Sequence, residues 1–158
     1  MIKIIAVGKI KEKALRMQIE EYEKRLRPFT KLEMIEVADE IAPQSNSDAQ
    51  NEQVKDKEAQ RIIAKIKDTD YVILLDLWGE MLNSEGFADK LDKLQTYENS
   101  NITFVIAGSL GPGKDIYHRC NYRWKLSDLT FTHQMSRVLV LEQIYRAYMI
   151  NHHNPYHK

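Results

Sequence analysis

The feature that most constrains the fold of this chain is an alternation of short apolar runs with longer amphipathic segments. Apolar runs typical of β-strands lie at residues 2–7, 31–37, 71–77 and 102–107, and a shorter one lies at 123–127. Between them lie segments whose apolar residues recur at helical spacing. Strands that alternate with helices in this way predict an α/β fold, in which helices flank a parallel sheet.

The helices are predicted from the spacing of their apolar residues and from residues that begin or end them. Their expected bounds are 11–27, 51–66, 85–96, about 114–120 and 133–150. Pro28 ends the first helix, and Ser84 is the expected N-cap of the third. Residues 38–50 are predicted to form a loop and residues 78–83 a turn. The last helix is apolar around much of its circumference, which predicts burial on more than one side.

Length and composition favour a soluble globular protein. With 158 residues, of which 43% are hydrophobic and 29% charged, the chain is expected to form one domain, residues 1–158. No apolar run is long enough to span a membrane, and the N-terminal strand does not resemble a signal peptide. The single cysteine, Cys120, excludes an intrachain disulfide framework. These features predict a cytoplasmic protein.

The formal net charge of zero conceals an uneven distribution along the chain. Residues 1–31 carry nine lysines and arginines against four acids, and residues 108–158 carry seven against three, together with all five histidines. The segment between them is acidic, with seven basic residues against sixteen acids. The basic ends could form a surface for a polyanion, although blocks of sequence need not form continuous surfaces.

A glycine-rich segment, GSLGPGK at residues 108–114, follows the fourth strand. It matches the start of a phosphate-binding P-loop, but Asp115 stands where that motif requires Ser or Thr to hold Mg²⁺. A nucleotide-binding loop, a tight turn without a ligand and a loop around another cofactor all remain open. In parallel α/β sheets, ligands bind beyond the carboxyl ends of the strands. Those ends here are Val7–Gly8, Leu75–Leu77, Ala107–Gly108 and Leu126–Asp128.

The most specific sequence features lie in the last third of the chain. Residues 107–111 read AGSLG, residues 126–148 read LSDLTFTHQMSRVLVLEQIYRAY and residues 155–158 read PYHK. Together with IAVGKIKEK at residues 5–13 and EAQRII at residues 58–63, this combination resembles the RlmH family of ribosomal RNA large-subunit pseudouridine N3-methyltransferases, within the SPOUT superfamily. The resemblance covers essentially the whole chain.

The resemblance implies an α/β fold with a C-terminal trefoil knot. It implies transfer of a methyl group from S-adenosylmethionine to N3 of a pseudouridine in 23S ribosomal RNA of the ribosome. It also implies a homodimer with a composite active site, in which the tail, residues 152–158, reaches the partner's cofactor. The alternatives are a non-enzymatic module that binds ribosomal RNA and a P-loop-like nucleotide-binding protein.

The resemblance also places candidate site residues on this sequence. The cofactor is expected on three loops, at Leu75, Asp76, Leu77, Ala107, Gly108, Leu126, Ser127, Asp128, Leu129, Thr130 and Phe131. Tyr156 and His157 in the tail are candidate catalytic residues, as is His133. His157 is the preferred general base and His133 the alternative, with a capping or packing role for His133 also open.

Candidate RNA-binding residues are Arg137, Arg146 and Lys158. For the two arginines a contact with the dimer partner is the alternative, and Arg146 is also spaced to pair with Glu142 on one helix face. No metal is expected, because the sulfonium of the cofactor is already activated and His152 and His153 are unsuitably spaced for zinc.

A few positions differ from what is usual in the family. Ala107 replaces a glycine, Thr132 replaces a proline before His133, and Glu80 replaces a lysine. Ala107 adds a methyl group to the cofactor loop, and Thr132 restores a backbone N–H at the start of the last helix. Trp124 is expected in the core rather than as a wall of the cofactor loop.

Overall fold

A computed structural model of the chain describes residues 1–41, 47–99 and 101–158. Within them, the strands are β1 (Ile2–Val7), β2 (Leu32–Val37), β3 (Tyr71–Met81), β4 (Ile102–Ile106) and β5 (Tyr122–Lys125). The helices are α1 (Lys13–Leu26), α2 (Asp48–Ile63), α3 (Ser84–Lys93), α4 (Lys114–Arg119) and α5 (His133–Asn151). A π-helical turn, Leu94–Glu98, continues α3.

The strands form one sheet in the order β2-β1-β4-β3-β5. Every neighbouring pair is parallel, and β1 pairs with both β2 and β4, so that Ile2 lies opposite Leu32 and Ile102. The predicted parallel α/β fold is therefore confirmed. Because the strands are parallel, their carboxyl ends meet at one edge of the sheet.

Helices cover both faces of the sheet, so its central strands are buried on both sides. Ile2, Ile4 and Ala6 of β1 belong to the larger core, which β1 shares with α1, α3 and α5. Ile5 and Val7 belong to the smaller core with α2 and α4. Burying an isoleucine completely contributes about 1.5–3 kcal/mol relative to leaving it exposed. This explains why the central strands β1 and β4 are mostly apolar rather than alternating.

The start of α2 differs from the sequence prediction, which placed a loop at residues 38–50. The helix begins at Asp48 because Ser47 and Gln50 form a capping box. The Gln50 N–H donates to Ser47 Oγ at 3.2 Å, and the Ser47 N–H donates to Gln50 Oε1 at 2.8 Å. Residues 42–46 of the predicted loop lie outside the described residues.

The predicted turn at residues 78–83 is wrong, because β3 continues to Met81 and pairs with β5 beyond an irregularity after Leu75. Gly79 permits this close pairing, since a β-carbon there would lie 2.7 Å from the Arg123 carbonyl oxygen. The N-cap of α3 is Asn83, which accepts from the Gly86 N–H at 2.7 Å.

The predicted cap of α3, Ser84, has a different contact. Its hydroxyl donates to Gln143 Oε1 of α5 at 3.0 Å and so links the two helices. As expected, α5 is buried on several sides, because it packs against α1, α3 and β4. Across the described ranges, no helix combines the length and apolar character that a membrane crossing requires.

Candidate functional site

A cleft of about 990 Å³ opens at the edge of the sheet where β3, β4 and β5 end. Its walls come from β3 from Leu75 onward, from the loops that follow β4 and β5, and from the first turn of α5. Predicted cofactor residues that line it are Leu75, Asp76, Leu77, Ala107, Gly108, Leu126, Ser127, Leu129, Thr130 and Phe131. A volume of this order is typical of clefts that hold small molecules.

One predicted cofactor residue, Asp128, does not line the cleft. Its carboxylate accepts from the Lys125 ammonium at 2.5 Å, and its side chain is 76% exposed. The loop between β5 and α5 thus directs Asp128 to solvent while its neighbours Ser127 and Leu129 line the cleft. The hydroxyl of Ser127 shapes this loop, since it accepts from the Leu129 N–H at 3.0 Å.

The glycine loop approaches the rest of the protein closely. A β-carbon on Gly108 would lie 2.9 Å from Glu58 Oε1 and 3.2 Å from Val7 Cγ1. Gly111 has a backbone φ of +96°, which residues other than glycine rarely adopt. A β-carbon on Gly113 would lie 2.7 Å from the Lys55 carbonyl oxygen, so this glycine lets α4 pack against α2.

The charged end of the P-loop-like segment is turned toward α2 rather than the cleft. Lys114 pairs with Asp56 at 3.4 Å, and Asp115 accepts from Gln60 Nε2 at 2.7 Å. Lys114 therefore does not supply the cation that a P-loop places against phosphates. The glycines instead permit a tight turn of the backbone beside the cleft.

A buried carboxylate, Asp76, lies in the cleft wall within β3, at the irregularity that follows Leu75. Tyr117 donates its hydroxyl to Asp76 Oδ1 at 3.0 Å, and Arg123 Nη1 lies 3.5 Å from Oδ2. Burial, together with the bond to Asp76, raises the pKa of Tyr117 to about 12. Oδ2 has no hydrogen-bond partner among the described residues. Negative charge at the wall favours a ligand that brings a cation or hydrogen-bond donors.

His133 is the first residue of α5 and lines the cleft. The helix starts here because Thr132 is its N-cap, with the Thr132 side chain accepting from the Met135 N–H at 3.1 Å. Burial and the nearby positive charge of Arg137 lower the pKa of His133, while Asp39 opposes this shift. His133 is therefore neutral at pH 7 and can accept a proton.

Arg137 is not available to RNA, which corrects the sequence prediction. Its side chain is 1% exposed, and it donates to the carbonyl oxygens of Val7 at 2.7 Å and Gly8 at 2.6 Å. It also pairs with Glu36 at 2.8 Å. The guanidinium thus fastens the first turns of α5 to the end of β1. Its Nε has no partner among the described residues.

Comparison with known proteins agrees with this geometry. A family model described as "Predicted SPOUT methyltransferase" matches residues 1–157. The chain belongs to the SPOUT methyltransferase family. This family includes the RlmH proteins, so the resemblance found in the sequence is confirmed.

A solved structure of similar fold is that of a probable methylase family protein from Haemophilus influenzae Rd KW20. The two are 16% identical with a TM-score of 0.55, over 96% of this chain. The present chain spans 66% of the length of that protein. At this identity the likeness shows the fold alone.

SPOUT methyltransferases use S-adenosylmethionine, and the cleft of this SPOUT protein has features that fit it. Apolar side chains such as Leu75 and Leu126 line it, together with Gly108 and the Asp76 carboxylate. The cofactor carries a sulfonium and an ammonium group, so a carboxylate in the wall is electrostatically favourable.

The tail of this SPOUT chain packs on its own α5 rather than on its own cleft. The Tyr156 hydroxyl donates to Glu142 Oε1 at 3.2 Å, and the Arg146 guanidinium lies 4.8 Å from the Tyr156 ring centre. His157 contacts Arg146 Nη1 through Nδ1 at 3.0 Å and Glu85 through Nε2 at 2.8 Å. The structure therefore keeps Tyr156 and His157 apart from His133.

Arg146 and Lys158, the other two predicted RNA-binding residues, differ in whether they form an ion pair with a described residue. Arg146 pairs with Glu142, as its spacing predicted, and its side chain is 24% exposed. Lys158 is exposed at the end of the tail and, within the described ranges, forms no ion pair. The three candidates therefore do not form one surface.

The rim of the cleft carries exposed apolar side chains from β3 and from the loop between β5 and α5. Trp78 is 80% exposed, Leu129 70% and Leu77 54%. Phe131 and Met135 lie nearby in the loop and first turn of α5 and are also exposed. Apolar surface grouped in this way is typical of a face that another surface covers.

Several residues that line the cleft were not found by sequence reasoning. Glu12 and Leu15 follow the end of β1, which the sequence identified only as a strand end. Tyr117 gave no signal, because its role depends on contact with Asp76, which is 41 residues earlier. Trp124 is in the core, as expected, stacked on Phe87 at 4.3 Å, and it also contributes to the cleft.

Proposed function

We propose that this SPOUT protein is a ribosomal RNA methyltransferase that transfers a methyl group from S-adenosylmethionine to N3 of a pseudouridine in 23S ribosomal RNA. The single observation that carries the proposal is the cleft at the ends of β3, β4 and β5. Its lining is the set of loops on which the RlmH resemblance places the cofactor. Membership of the SPOUT family over residues 1–157 supports methyl transfer as the reaction.

The reaction requires a nucleophilic nitrogen aligned with the methyl group. The imide N3 carries a proton, so it must lose that proton and be held about 3 Å from the methyl carbon, in line with the bond that breaks. When bound, the cofactor supplies a methyl group on a sulfonium that is already activated. Alignment of the base and removal of its proton are then the contributions of the protein.

Two histidines are candidates to accept the N3 proton, and their positions differ. His133 lines the cleft of its own chain, and its lowered pKa keeps it neutral at pH 7. His157 is in the tail, where it contacts Glu85 and Arg146. His157, the base preferred from the sequence, would reach a cleft only across a subunit interface.

We further propose that the enzyme is a homodimer with composite sites. The exposed rim, with Trp78 and Leu129, gives a second protomer an apolar surface to cover. Two-fold dimers are the commonest soluble oligomers, and each interface contact then occurs twice. The tail of one protomer would bring Tyr156 and His157 to the cleft of the other. Tyr156 can then stack on the target base.

SPOUT membership also supports the C-terminal trefoil knot that the resemblance implied. Under this proposal, the knot lies in the C-terminal third of the chain, where two of the three cofactor segments are found. Such a knot is an exception to the usual rule that chains do not thread their own loops. A crystal structure with traceable density through residues 107–133 tests this; an unthreaded path would exclude the knot.

A pair of variants on one loop tests the cofactor site by calorimetry. Thr130 lines the cleft, so Thr130→Trp should fill it and weaken S-adenosylmethionine binding at least tenfold. Asp128→Trp places the same side chain two residues earlier, outside the cleft, and breaks only an exposed ion pair worth about 0–1 kcal/mol. It should bind normally. Equal effects of both variants would show that the cleft is not the cofactor site.

A second experiment identifies the substrate. Ribosomes are incubated with the protein and tritiated S-adenosylmethionine, and the modified nucleoside is identified by mass spectrometry. We expect N3-methylpseudouridine in 23S RNA. Methylation of another nucleoside would retain the enzyme class and overturn the substrate. Binding of ATP with Mg²⁺ in place of S-adenosylmethionine would favour the P-loop alternative, and binding of RNA without any cofactor would favour the non-enzymatic module.

A further inference from the structure

Most of the seven lysines and arginines in residues 108–158 form ion pairs or hydrogen bonds with other residues of the chain. Those with partners are Lys114, Arg119, Arg123, Lys125, Arg137 and Arg146. Lys158 is the remaining one of the seven. Although this end of the sequence has all five histidines, it offers few free cations to a polyanion. A basic surface must be sought elsewhere.

Lysines without an ion-pair partner among the described residues lie instead in the basic segment at residues 1–31. Lys9, Lys11 and Lys13 are all exposed, and none of them forms an ion pair with any residue that the structure describes. They lie between the end of β1 and the start of α1, at the edge of the sheet that holds the cleft. Glu12 and Leu15, next to them in the chain, line the cleft itself.

The segment that carries these lysines is held in place at several points. Gly8 begins it with a φ of +85°, and Ile10 between the first two lysines is 5% exposed. The Ile10 N–H donates to Glu36 Oε2 at 3.2 Å, and Arg16 Nη2 donates to the Ile10 carbonyl oxygen at 2.7 Å. Ile10 therefore anchors the segment while Lys9 and Lys11 extend into solvent.

Acidic groups on the neighbouring strand end do not cancel this charge. Glu36 is paired with Arg137, and Glu40 is paired with Arg61 at 2.5 Å and with Lys57 at 3.5 Å. Asp39, two residues after β2, is exposed and acts on His133, and Glu12 lies within the segment itself. The three lysines outnumber these two acids. The local balance is therefore positive at the rim of the cleft.

We propose that Lys9, Lys11 and Lys13 bind the phosphate backbone of the RNA that flanks the target nucleotide. This inference rests on the proposed function, because it needs an RNA substrate at the cleft. Lysine ammonium groups bind phosphate as point charges, without base specificity. The three lysines thus hold the strand in place, while the groups in the cleft select and align the base.

A charge-matched pair of triple variants tests the proposal. In one variant Lys9, Lys11 and Lys13 become glutamine; in the control Lys24, Arg27 and Lys31 become glutamine. The control residues are exposed at the end of α1 and before β2, at the opposite edge of the sheet. Methylation of ribosomes and binding of a 20-nucleotide single-stranded RNA are measured from 50 to 300 mM KCl.

The variant in which Lys9, Lys11 and Lys13 become glutamine, here called the rim variant, should raise KM for ribosomes at least tenfold at 150 mM KCl. Its kcat and its affinity for S-adenosylmethionine should be unchanged. A plot of the logarithm of the RNA association constant against the logarithm of the salt concentration has a slope of about −0.7 for each phosphate contact. Loss of three contacts should therefore reduce the magnitude of this slope by about 2. The control should keep the wild-type slope. Equal salt slopes for all three proteins would overturn the proposal.

Two other outcomes are distinguishable. A rim variant that sediments as a monomer, where wild type is a dimer, would assign the lysines to a protein interface and overturn the RNA contact. If the wild-type protein binds S-adenosylmethionine but methylates no ribosomal RNA, the proposed function fails. The slope for single-stranded RNA then still decides whether the lysines bind phosphate.

Discussion

His133 has a titratable ring between the cleft and the buried guanidinium of Arg137. Its pKa is lowered from the ordinary value of 6.5, so the unfolded chain binds a proton at this residue more readily than the folded protein does. The contribution of His133 to stability is therefore complete above about pH 6.5 and is lost as the pH falls below it. We expect His133→Gln to reduce the loss of stability between pH 7.5 and pH 5.5.

Urea denaturation at the two pH values measures this effect. The control is His118→Gln, which removes an exposed histidine on α4. The control should keep the pH dependence of the wild type. An unchanged pH dependence in His133→Gln would show that this histidine has the same proton affinity in the folded and unfolded states.

Gly108 makes a second prediction about a single residue. Because a β-carbon there would lie 2.9 Å from Glu58 Oε1, Gly108→Ala should cost about 1–3 kcal/mol of stability. Shortening Glu58 to alanine removes that contact, so the cost should become smaller in a Glu58→Ala background. Urea denaturation of the four proteins in this cycle measures the coupling.

Gly111→Ala is a control for this cycle. Nothing lies within 4 Å of a β-carbon there, and the expected cost comes from a φ of +96°. Its cost should be the same with or without Glu58. If the Gly108→Ala cost is also independent of Glu58, the close approach of the glycine loop to α2 is not what requires glycine.

At the level of secondary-structure elements, Arg137 connects α5 to the end of β1. We expect Arg137→Met to destabilise the protein by about 1–3 kcal/mol for each buried acceptor left without a partner, here the carbonyls of Val7 and Gly8. Glu36→Gln should cost much less, because an amide oxygen can still accept from Arg137 and Glu36 is 45% exposed. Urea denaturation measures both; similar costs would place the stabilisation in the ion pair instead.

Sequence patterns predicted those elements whose signals are local. Apolar runs identified the strands, and the carboxyl ends of β3, β4 and β5 predicted the cleft, because parallel strands end at the same edge. The continuation of β3 past Leu77 could not be predicted, since it depends on pairing with β5 more than 40 residues later. Arg137 was misassigned for a similar reason, because its carbonyl partners lie about 130 residues away in sequence.

Other differences from the sequence predictions have local causes. The Ser47–Gln50 capping box was present in the sequence and could have placed the start of α2 correctly. Asp128 was assigned to the cofactor with the whole loop, although the pattern does not show which side chains of a loop face inward. Lys125, three residues before Asp128, was the available signal for an ion pair that turns it outward.

For the molecule as a whole, the arrangement of charge and apolar surface gives the cleft two different sides. Under the proposals above, the apolar rim with Trp78 and Leu129 would meet a second protomer. The exposed lysines at residues 9, 11 and 13 would then form a basic side for RNA. A protein without net charge can present a basic face in this way, because its charges need only be unevenly distributed.

Composite sites at a homodimer interface make a prediction that a site within one chain does not. Thr130→Trp retains a tail but has a blocked cleft, and a chain ending at Asn151 has an open cleft but no tail. Each should be inactive alone. Mixed at equal concentration and allowed to exchange subunits, they form heterodimers with one complete site, so about a quarter of all sites should become active. Tritiated-methyl transfer to ribosomes measures the recovery, with calorimetry confirming that the shortened chain binds S-adenosylmethionine. Absence of recovery, with exchange shown by differently tagged subunits, would place each site within a single chain.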